Sequence, residues 1–224
     1  MLRWALCALV LFGLTGCEEN YQVKVDAIHD KRVRLPAGTS YKLIIPPKEA
    51  VSGDYDPVAS ERMIKSALAA RGYFPVDSVS AADLVITVEV GRTAGRVSFR
   101  EREVMTPVSD LYGSDYRRFP GIIPVAMKSQ IVPEVVSTKY LTLSARNPQR
   151  IDENGKPTEI WNIVVKVEDA GESLGEYLPI LTAAAMNHMG ENTGEQIEVN
   201  LGPESKEVQY VENDPTFDRA LTGP

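Results

Sequence analysis

Leu14, Thr15, Gly16 and Cys17 stand together near the start of the chain, and their types and spacing suit one covalent reaction. Cys17 is the only cysteine after residue 7, and its thiol is the group that can carry a thioether-linked lipid. Small Thr15 and Gly16 let the chain lie extended in the groove of a protease that cuts before the cysteine. The predicted chemistry is lipidation of Cys17 and removal of residues 1–16.

The residues before this motif have the pattern of a secretion signal. Arg3 supplies the positive charge, and the apolar run from Trp4 to Phe12 is too short to cross a hydrocarbon core of about 30 Å as a helix. The Leu-Thr-Gly-Cys sequence resembles the lipobox of bacterial lipoproteins, whose diacylglycerol and N-acyl chains form a durable membrane anchor. The alternatives are an ordinary signal peptide with a chance cysteine, or a cytosolic protein with an apolar start.

The residue after the cysteine bears on which membrane holds the anchor. Glu18 stands where lipoproteins retained in the inner membrane of enteric bacteria have aspartate. By that resemblance we expect the periplasmic face of the outer membrane.

Outside this motif, the residue types that act in catalysis or metal binding are too few, or too ordinary in their spacing, to indicate a site. His29 and His188 are the only histidines, and neither lies in a metal-binding pattern, so no metal and no cofactor is predicted. No Gly-x-Ser-x-Gly turn or glycine-rich phosphate loop is present. Several carboxylate pairs are close in sequence, such as Asp54 with Asp56 and Glu101 with Glu103, and could in principle act as acid and base on a glycan. With 31 acidic residues such pairs arise by chance, so no catalytic residue is assigned and a non-enzymatic protein is expected.

Charge and composition limit the partners. The formal net charge of −7 becomes −8 when Arg3 leaves with the signal, which argues against nucleic acid and anionic membrane surfaces as main partners. With Cys17 lipidated, no disulfide within the chain and no cysteine-ligated metal is expected.

A long loop is predicted over 106–133, where periodicity fails and Pro, Gly, Tyr and Phe accumulate. Four of its residues belong to types that are enriched at binding hot spots: Tyr112, Tyr116, Arg117 and Phe119. Loops of this length in compact domains are often functional. These side chains are candidates for binding a partner, and the alternative is that they cover the open face of their own sheet.

Alternating apolar and polar residues predict the strands that position this loop. The inward sets are Val23, Val25 and Ala27; Tyr41, Leu43 and Ile45; Leu84, Ile86, Val88 and Val90; Val97 and Phe99; Leu141, Leu143 and Ala145; and Trp161, Ile163, Val165 and Val167. A last strand is predicted over 196–201, and a hairpin turn over 152–155.

Two helices complete the predicted fold. The first starts at Asp56-Pro57 as N-cap and first helical residue, ends near Arg71 before Gly72, and is expected to bury Val58. The second is expected over 174–189, capped by Ser173, with one apolar stripe.

Together these elements predict an α+β two-layer sandwich, with a largely antiparallel sheet of about six strands and two helices on one face. We expect a tether over 17–20 and a single domain over 21–201. Residues 202–224 are acidic and poor in apolar side chains, which favours a disordered tail.

The order of these signals resembles the DUF4136 (domain of unknown function) lipoproteins of bacterial envelopes. The residues that carry the resemblance are the tyrosine strand Tyr41 to Ile45, the turn Arg71-Gly72-Tyr73, the strand start Ala82-Asp83-Leu84 and the later strand with Trp161. The resemblance spans about residues 21–201. It implies an envelope protein without known catalysis, and it transfers no site residue beyond the lipidated Cys17.

Three functional hypotheses follow. The first is a lipid-anchored, non-enzymatic module that binds another envelope component, protein or glycan, through Tyr112, Tyr116, Arg117 and Phe119. The second is a structural subunit that self-associates through an open sheet edge. The third is a hydrolase of envelope glycan or peptide, which needs convergent acid and base groups in a pocket.

Overall fold

The computed structural model describes residues 20–107, 125–171 and 173–213. The predicted signal over 1–16, Cys17 with most of its tether, and residues 214–224 of the predicted tail lie outside the described residues.

One large sheet organises the chain. Its strands are β1 (Tyr21–His29), β2 (Ser40–Ile44), β3 (Phe74–Pro75), β4 (Leu84–Arg92), β5 (Arg96–Pro107), β6 (Val125–Ile151), β7 (Pro157–Asp169) and β8 (Ile197–Leu201). The order across the sheet is β3-β2-β4-β6-β7-β1-β8, and β5 pairs with β6 beside this path. The fold is α+β, and its sheet is largely antiparallel as predicted, with eight strands in place of about six.

The core lies on one face of this sheet. The inward residues predicted for β1, β4, β6 and β7 are all buried, and they form one apolar cluster with residues of the helices. In the antiparallel register Val25 lies opposite Val165, and Leu141 opposite both Val165 and Val90, so the inward sets of neighbouring strands coincide. Residues between them on the other face are exposed, such as Thr87, Glu89 and Lys166, or partly exposed, such as Ser144 and Asn162.

The helix α1 (Pro57–Ala70) begins as the sequence predicts. The Asp56 carboxylate accepts a hydrogen bond from the backbone N–H of Val58 at 2.9 Å, and Gly72 follows the helix with φ of 82°. The prediction that Val58 is buried is wrong, because it lies in the first turn with 75% of its surface exposed. This helix is the crossover that lets β2 and β4 pair in parallel.

The helix α2 (Leu178–Met186) is shorter than predicted and buried on every side. Pro179 lies in its first turn, where proline is favoured, so residues 174–177 form a turn before the helix. Ser173 caps that turn by accepting the N–H of Glu176, while Asp54 accepts the N–H of Leu174 at 2.7 Å.

A third helix, α3 (Lys206–Asn213), lies in the segment predicted to be disordered. Its Val208 and Val211 are buried in the same core cluster as α1 and α2. The described part of the chain therefore has three α-helices where two were predicted. Among the described residues, none of the helices has the length and apolar character to span a membrane.

Candidate functional site: a projecting ribbon and its junction

The predicted loop over 106–133 is wrong at its carboxyl-terminal end, because β6 already begins at Val125. The first part of β6 pairs with β5 in an antiparallel register from Arg96 opposite Val136 to Pro107 opposite Val125. Residues 96–107 and 125–136 thus form a two-stranded extension of the main sheet, here called the ribbon. At about 3.4 Å per residue its 12 paired positions extend about 40 Å.

One face of the ribbon is apolar and open. The register places these side chains on it: Val97, Phe99, Glu101, Glu103 and Met105 of β5, and Met127, Ser129, Ile131, Pro133 and Val135 of β6. Phe99 is 71% exposed and Ile131 is 68% exposed. The inward position predicted for Val97 and Phe99 is therefore wrong, because β5 leaves the main sheet and no described element covers this face.

The other face of the ribbon is basic. It carries Arg96, Ser98, Arg100, Arg102 and Val104 of β5, and Lys128, Gln130, Val132, Glu134 and Val136 of β6. Four of these residues are basic and one is acidic, whereas the charged residues of the apolar face are Glu101 and Glu103 alone. The two faces of the ribbon therefore carry opposite charge.

Ion pairs hold the base of the ribbon against the end of β7. Arg96 contacts Glu168 at 2.5 Å, and Arg100 contacts Asp169 at 3.6 Å and Glu134 at 3.4 Å. These side chains are partly exposed, so each pair contributes less than about 1 kcal/mol. Their shared location fixes the direction in which the ribbon leaves the sheet.

A buried cation lies directly behind these pairs. Lys139 of β6 is fully buried, and its Nζ donates to the backbone oxygen of Asp169 at 2.7 Å. The same Nζ lies 4.5 Å from the ring centre of Tyr177, whose hydroxyl donates to the Asp169 carboxylate. Tyr21 packs edge-on against Tyr177 at 5.3 Å between ring centres. This junction joins β6, β7 and the turn before α2.

The charges of the junction shift the pKa of each member. Burial alone raises the pKa of Asp169, but the Tyr177 hydroxyl, two backbone N–H groups and Lys139 lower it overall. Burial lowers the pKa of Lys139, and the Asp169 carboxylate opposes that change. Burial and the Asp169 carboxylate raise the pKa of Tyr177. The Asp169 carboxylate therefore favours the charged form of Lys139 against the effect of burial.

The four residues proposed from the sequence for partner binding, Tyr112, Tyr116, Arg117 and Phe119, lie outside the described residues. They belong to the segment 108–124 that connects the far ends of β5 and β6.

The other residues considered for chemistry are not brought together. Asp56 caps α1 and Asp54 holds the turn before α2, while Glu101 and Glu103 lie on the apolar face of the ribbon. His188 lies 3.6 Å from Glu191, and His29 lies at the end of β1. Within the described residues no three His, Cys, Asp or Glu side chains are arranged to hold a metal ion.

The residues that carry the family resemblance make structural contacts. The Asp83 carboxylate accepts from both the N–H and the hydroxyl of Ser40, which ties the start of β4 to the start of β2. Tyr73 packs near Trp161 at 6.5 Å between ring centres, and Arg71 pairs with Glu191 at 2.9 Å. The residues of these motifs therefore hold parts of the fold together.

Comparison with known proteins gives structural similarity at low sequence identity. No protein-family model and no curated protein matches the sequence. The PelC dodecamer from Paraburkholderia phytofirmans is similar at 11% identity, over 76% of this chain and 99% of that chain, with a TM-score of 0.39. A DUF4136 family protein from Bacteroides thetaiotaomicron is similar at 13% identity, over 73% of this chain and 91% of that chain, with a TM-score of 0.40. This second structure is described as a member of the family that the sequence resembles.

Proposed function

We propose that this protein is a non-enzymatic envelope subunit, tethered by lipid on Cys17 to the periplasmic face of the outer membrane, whose copies associate through the ribbon. The observation that supports this is the ribbon itself, with an apolar, acidic face on one side and a basic face on the other. A two-stranded ribbon is marginally stable alone in water, so it gains stability when another protein surface packs on its apolar face.

The charges favour a head-to-tail contact between copies. If two apolar faces met, Glu101 and Glu103 of one copy would approach the same residues of its partner. When the apolar face of one copy meets the basic face of the next, these carboxylates approach Arg102 and Lys128 instead. Such a contact uses different surfaces on the two copies and builds rings or open chains. The aliphatic stems of the basic side chains can cover Phe99 and Ile131.

The area of one ribbon face determines how strongly two copies are expected to associate. A face about 40 Å long and about 10 Å wide covers about 400 Å², so one contact buries about 800 Å² in total. Stable interfaces bury at least about 1,200 Å², so we expect weak association in dilute detergent solution. A shared membrane raises the effective concentration of tethered copies, which strengthens the same contact.

Replacing Phe99 with serine tests the apolar part of this contact. Phe99 is exposed, so Phe99→Ser leaves the fold intact but removes apolar area from the interface, and association is expected to weaken about tenfold. Sedimentation velocity of the full-length protein in detergent measures the change. Phe74→Ser, which alters a half-exposed phenylalanine on the distant strand β3, is the matched control and is expected to associate as wild type. Equal weakening by both variants would contradict the proposal.

The segment 108–124 suggests a second function, the binding of another envelope component. Tyr112, Tyr116, Arg117 and Phe119 belong to types that are enriched at binding hot spots. The strands that this segment connects are paired as far as Pro107 and Val125, about 40 Å along the ribbon from Arg96. Replacing all four with alanine is expected to abolish crosslinking to that component in cells while self-association through the ribbon persists. Crosslinked partners identified by mass spectrometry, with Cys17→Ala as the unanchored control, measure this. An unchanged crosslinking pattern would remove these residues from the binding surface.

A further inference from the structure

An open cleft of about 590 Å³ lies at the end of the helix layer, away from the ribbon. It is bounded by the end of β1 and the segment after it, by the residues that follow α1, and by those that follow α2. The lining residues are His29, Lys31, Val33, Arg34, Leu35, Arg71, Tyr73, Met189 and Gly190. The ribbon and the proposed assembly make no use of this cleft.

The cleft is cationic although the protein is acidic. The lining includes Lys31, Arg34 and Arg71, and no described carboxylate lines it, while the whole chain has a formal charge of −7. The nearby carboxylate of Asp30 is already paired with Arg32 at 2.9 Å. Arg71 is paired with Glu191, which lies outside the lining, so the positive charge that remains unpaired in the cleft is that of Lys31 and Arg34.

The cations keep most of their hydrogen-bonding groups free. Arg71 donates to the backbone oxygen of Met189 at 3.3 Å and to Glu191 at 2.9 Å, both through one nitrogen, Nη2. Lys31 and Arg34 are exposed and form no ion pair with any described residue. These guanidinium and ammonium groups suit the geometry of a phosphate or a carboxylate.

The other part of the lining is apolar. Val33, Leu35 and Tyr73 are half-buried and pack against the core, and Met189 is buried. Gly190 has φ of 75°, and a Cβ there would lie 3.2 Å from the Tyr73 hydroxyl, so glycine lets the tyrosine ring keep its place. A cationic rim beside an aromatic ring is suited to a ligand with an anionic group and a compact body.

Compensation of helix ends explains only part of this charge. Arg71 follows α1, where a cation offsets the negative end of the helix dipole. Lys31 and Arg34 belong to the segment after β1, not to either helix that ends beside the cleft. We propose that the cleft binds an oxyanion, phosphate or carboxylate, carried on a small sugar-like ring, with Lys31, Arg34 and Arg71 holding the anion and Tyr73 against the ring.

Tryptophan fluorescence can report this binding. The sequence has two tryptophans, Trp4 and Trp161, and Trp161 lies 6.5 Å from the ring of Tyr73. Full-length protein carrying Trp4→Phe therefore reports from Trp161 alone. We expect a saturable change on titration with glucose 6-phosphate and with glucuronate, and none with glucose. Inorganic phosphate binding as tightly as glucose 6-phosphate identifies a free oxyanion as the ligand, and weaker binding identifies the sugar-linked anion.

Variants locate the site. Lys31→Gln combined with Arg34→Gln is expected to weaken glucose 6-phosphate binding at least about tenfold. The matched control replaces two exposed cations elsewhere, Lys48→Gln with Arg62→Gln, and is expected to bind as wild type. The proposal is overturned if wild type shows no saturation up to about 10 mM. Binding of glucose as tight as glucose 6-phosphate, or equal loss in both double variants, would also overturn it.

Discussion

Replacing Asp169 with alanine is expected to lower the free energy of unfolding by about 2 kcal/mol. The substitution removes the carboxylate that supports buried Lys139, and it leaves the Tyr177 hydroxyl without its acceptor. Lys139 keeps its hydrogen bond to the backbone oxygen of residue 169 in this variant, so the loss comes from the missing attraction of the carboxylate and from the unpaired Tyr177 hydroxyl. Urea denaturation followed by circular dichroism measures the change.

Two further variants in the same sheet provide a control and a rescue. Asp26→Ala removes an exposed carboxylate from β1 and is expected to change stability by less than about 0.5 kcal/mol. Lys139→Met combined with Asp169→Ala removes both charges, and it is expected to recover a large part of the loss. A double variant no more stable than Asp169→Ala would show that Lys139 is not the source of the cost.

The pH dependence of this difference has a definite sign. The pKa of Asp169 is lowered in the folded protein, so its contribution is fully present above the unfolded value of about 3.9. It is lost as the pH falls through the folded pKa. The stability difference between wild type and Asp169→Ala is therefore expected to be constant near neutral pH and to shrink on acidification.

The position of Lys139 in the sequence already indicates that a buried cation is present at the junction. It stands two residues before Leu141, so strand alternation places it on the face of Leu141 and Leu143, which is the core face. A lysine at such a position must find a counter-charge inside the protein. The identity of that counter-charge depends on the pairing of β6 with β7. That pairing joins residues far apart in the sequence, so the local pattern of residues does not predict it.

The second strand of the ribbon, over 125–136, was not predicted because it also depends on long-range pairing. Residues 125–136 alternate imperfectly because Pro133 and the pair Val135-Val136 interrupt the period, and the apolar set faces away from the core. Their strand conformation follows from pairing with β5 across the intervening segment. By contrast, the ends of α1 were predictable, because its proline, cap and glycine act within a few residues.

The helix errors have local causes that the sequence did carry. Pro179 marks the first turn of α2, and the apolar residues on all sides of that helix indicate burial more strongly than a stripe does. In α3 the spacing of Val208 and Val211 is helical, although acidic neighbours dominate the composition. The proline of α2 and the valine spacing of α3 each involve only a few residues, so they are weaker signals than the composition of the surrounding segment.

Reversing the charges on one face of the ribbon is expected to abolish self-association. Glu101→Lys with Glu103→Lys makes both faces basic, and Arg102→Glu with Lys128→Glu makes both faces acidic at the same level of the ribbon. Like charges brought together across an interface are strongly unfavourable, so neither variant should associate alone. Because these side chains are exposed, both variants should keep the wild-type fold. Arg102→Glu also removes the ion pair of Arg102 with Glu134, so the unfolding midpoint of that variant is expected to fall slightly, while that of the Glu101→Lys, Glu103→Lys variant stays at the wild-type value.

The most direct test is to mix the two charge variants and measure their mass by sedimentation velocity in detergent, over the concentrations at which wild type associates. Head-to-tail contact through opposite faces predicts that each variant alone is a monomer and that the equimolar mixture assembles with alternating copies. Association of either variant alone, a mixture that stays monomeric, or a wild-type protein that is monomeric at every accessible concentration would contradict assembly through the ribbon.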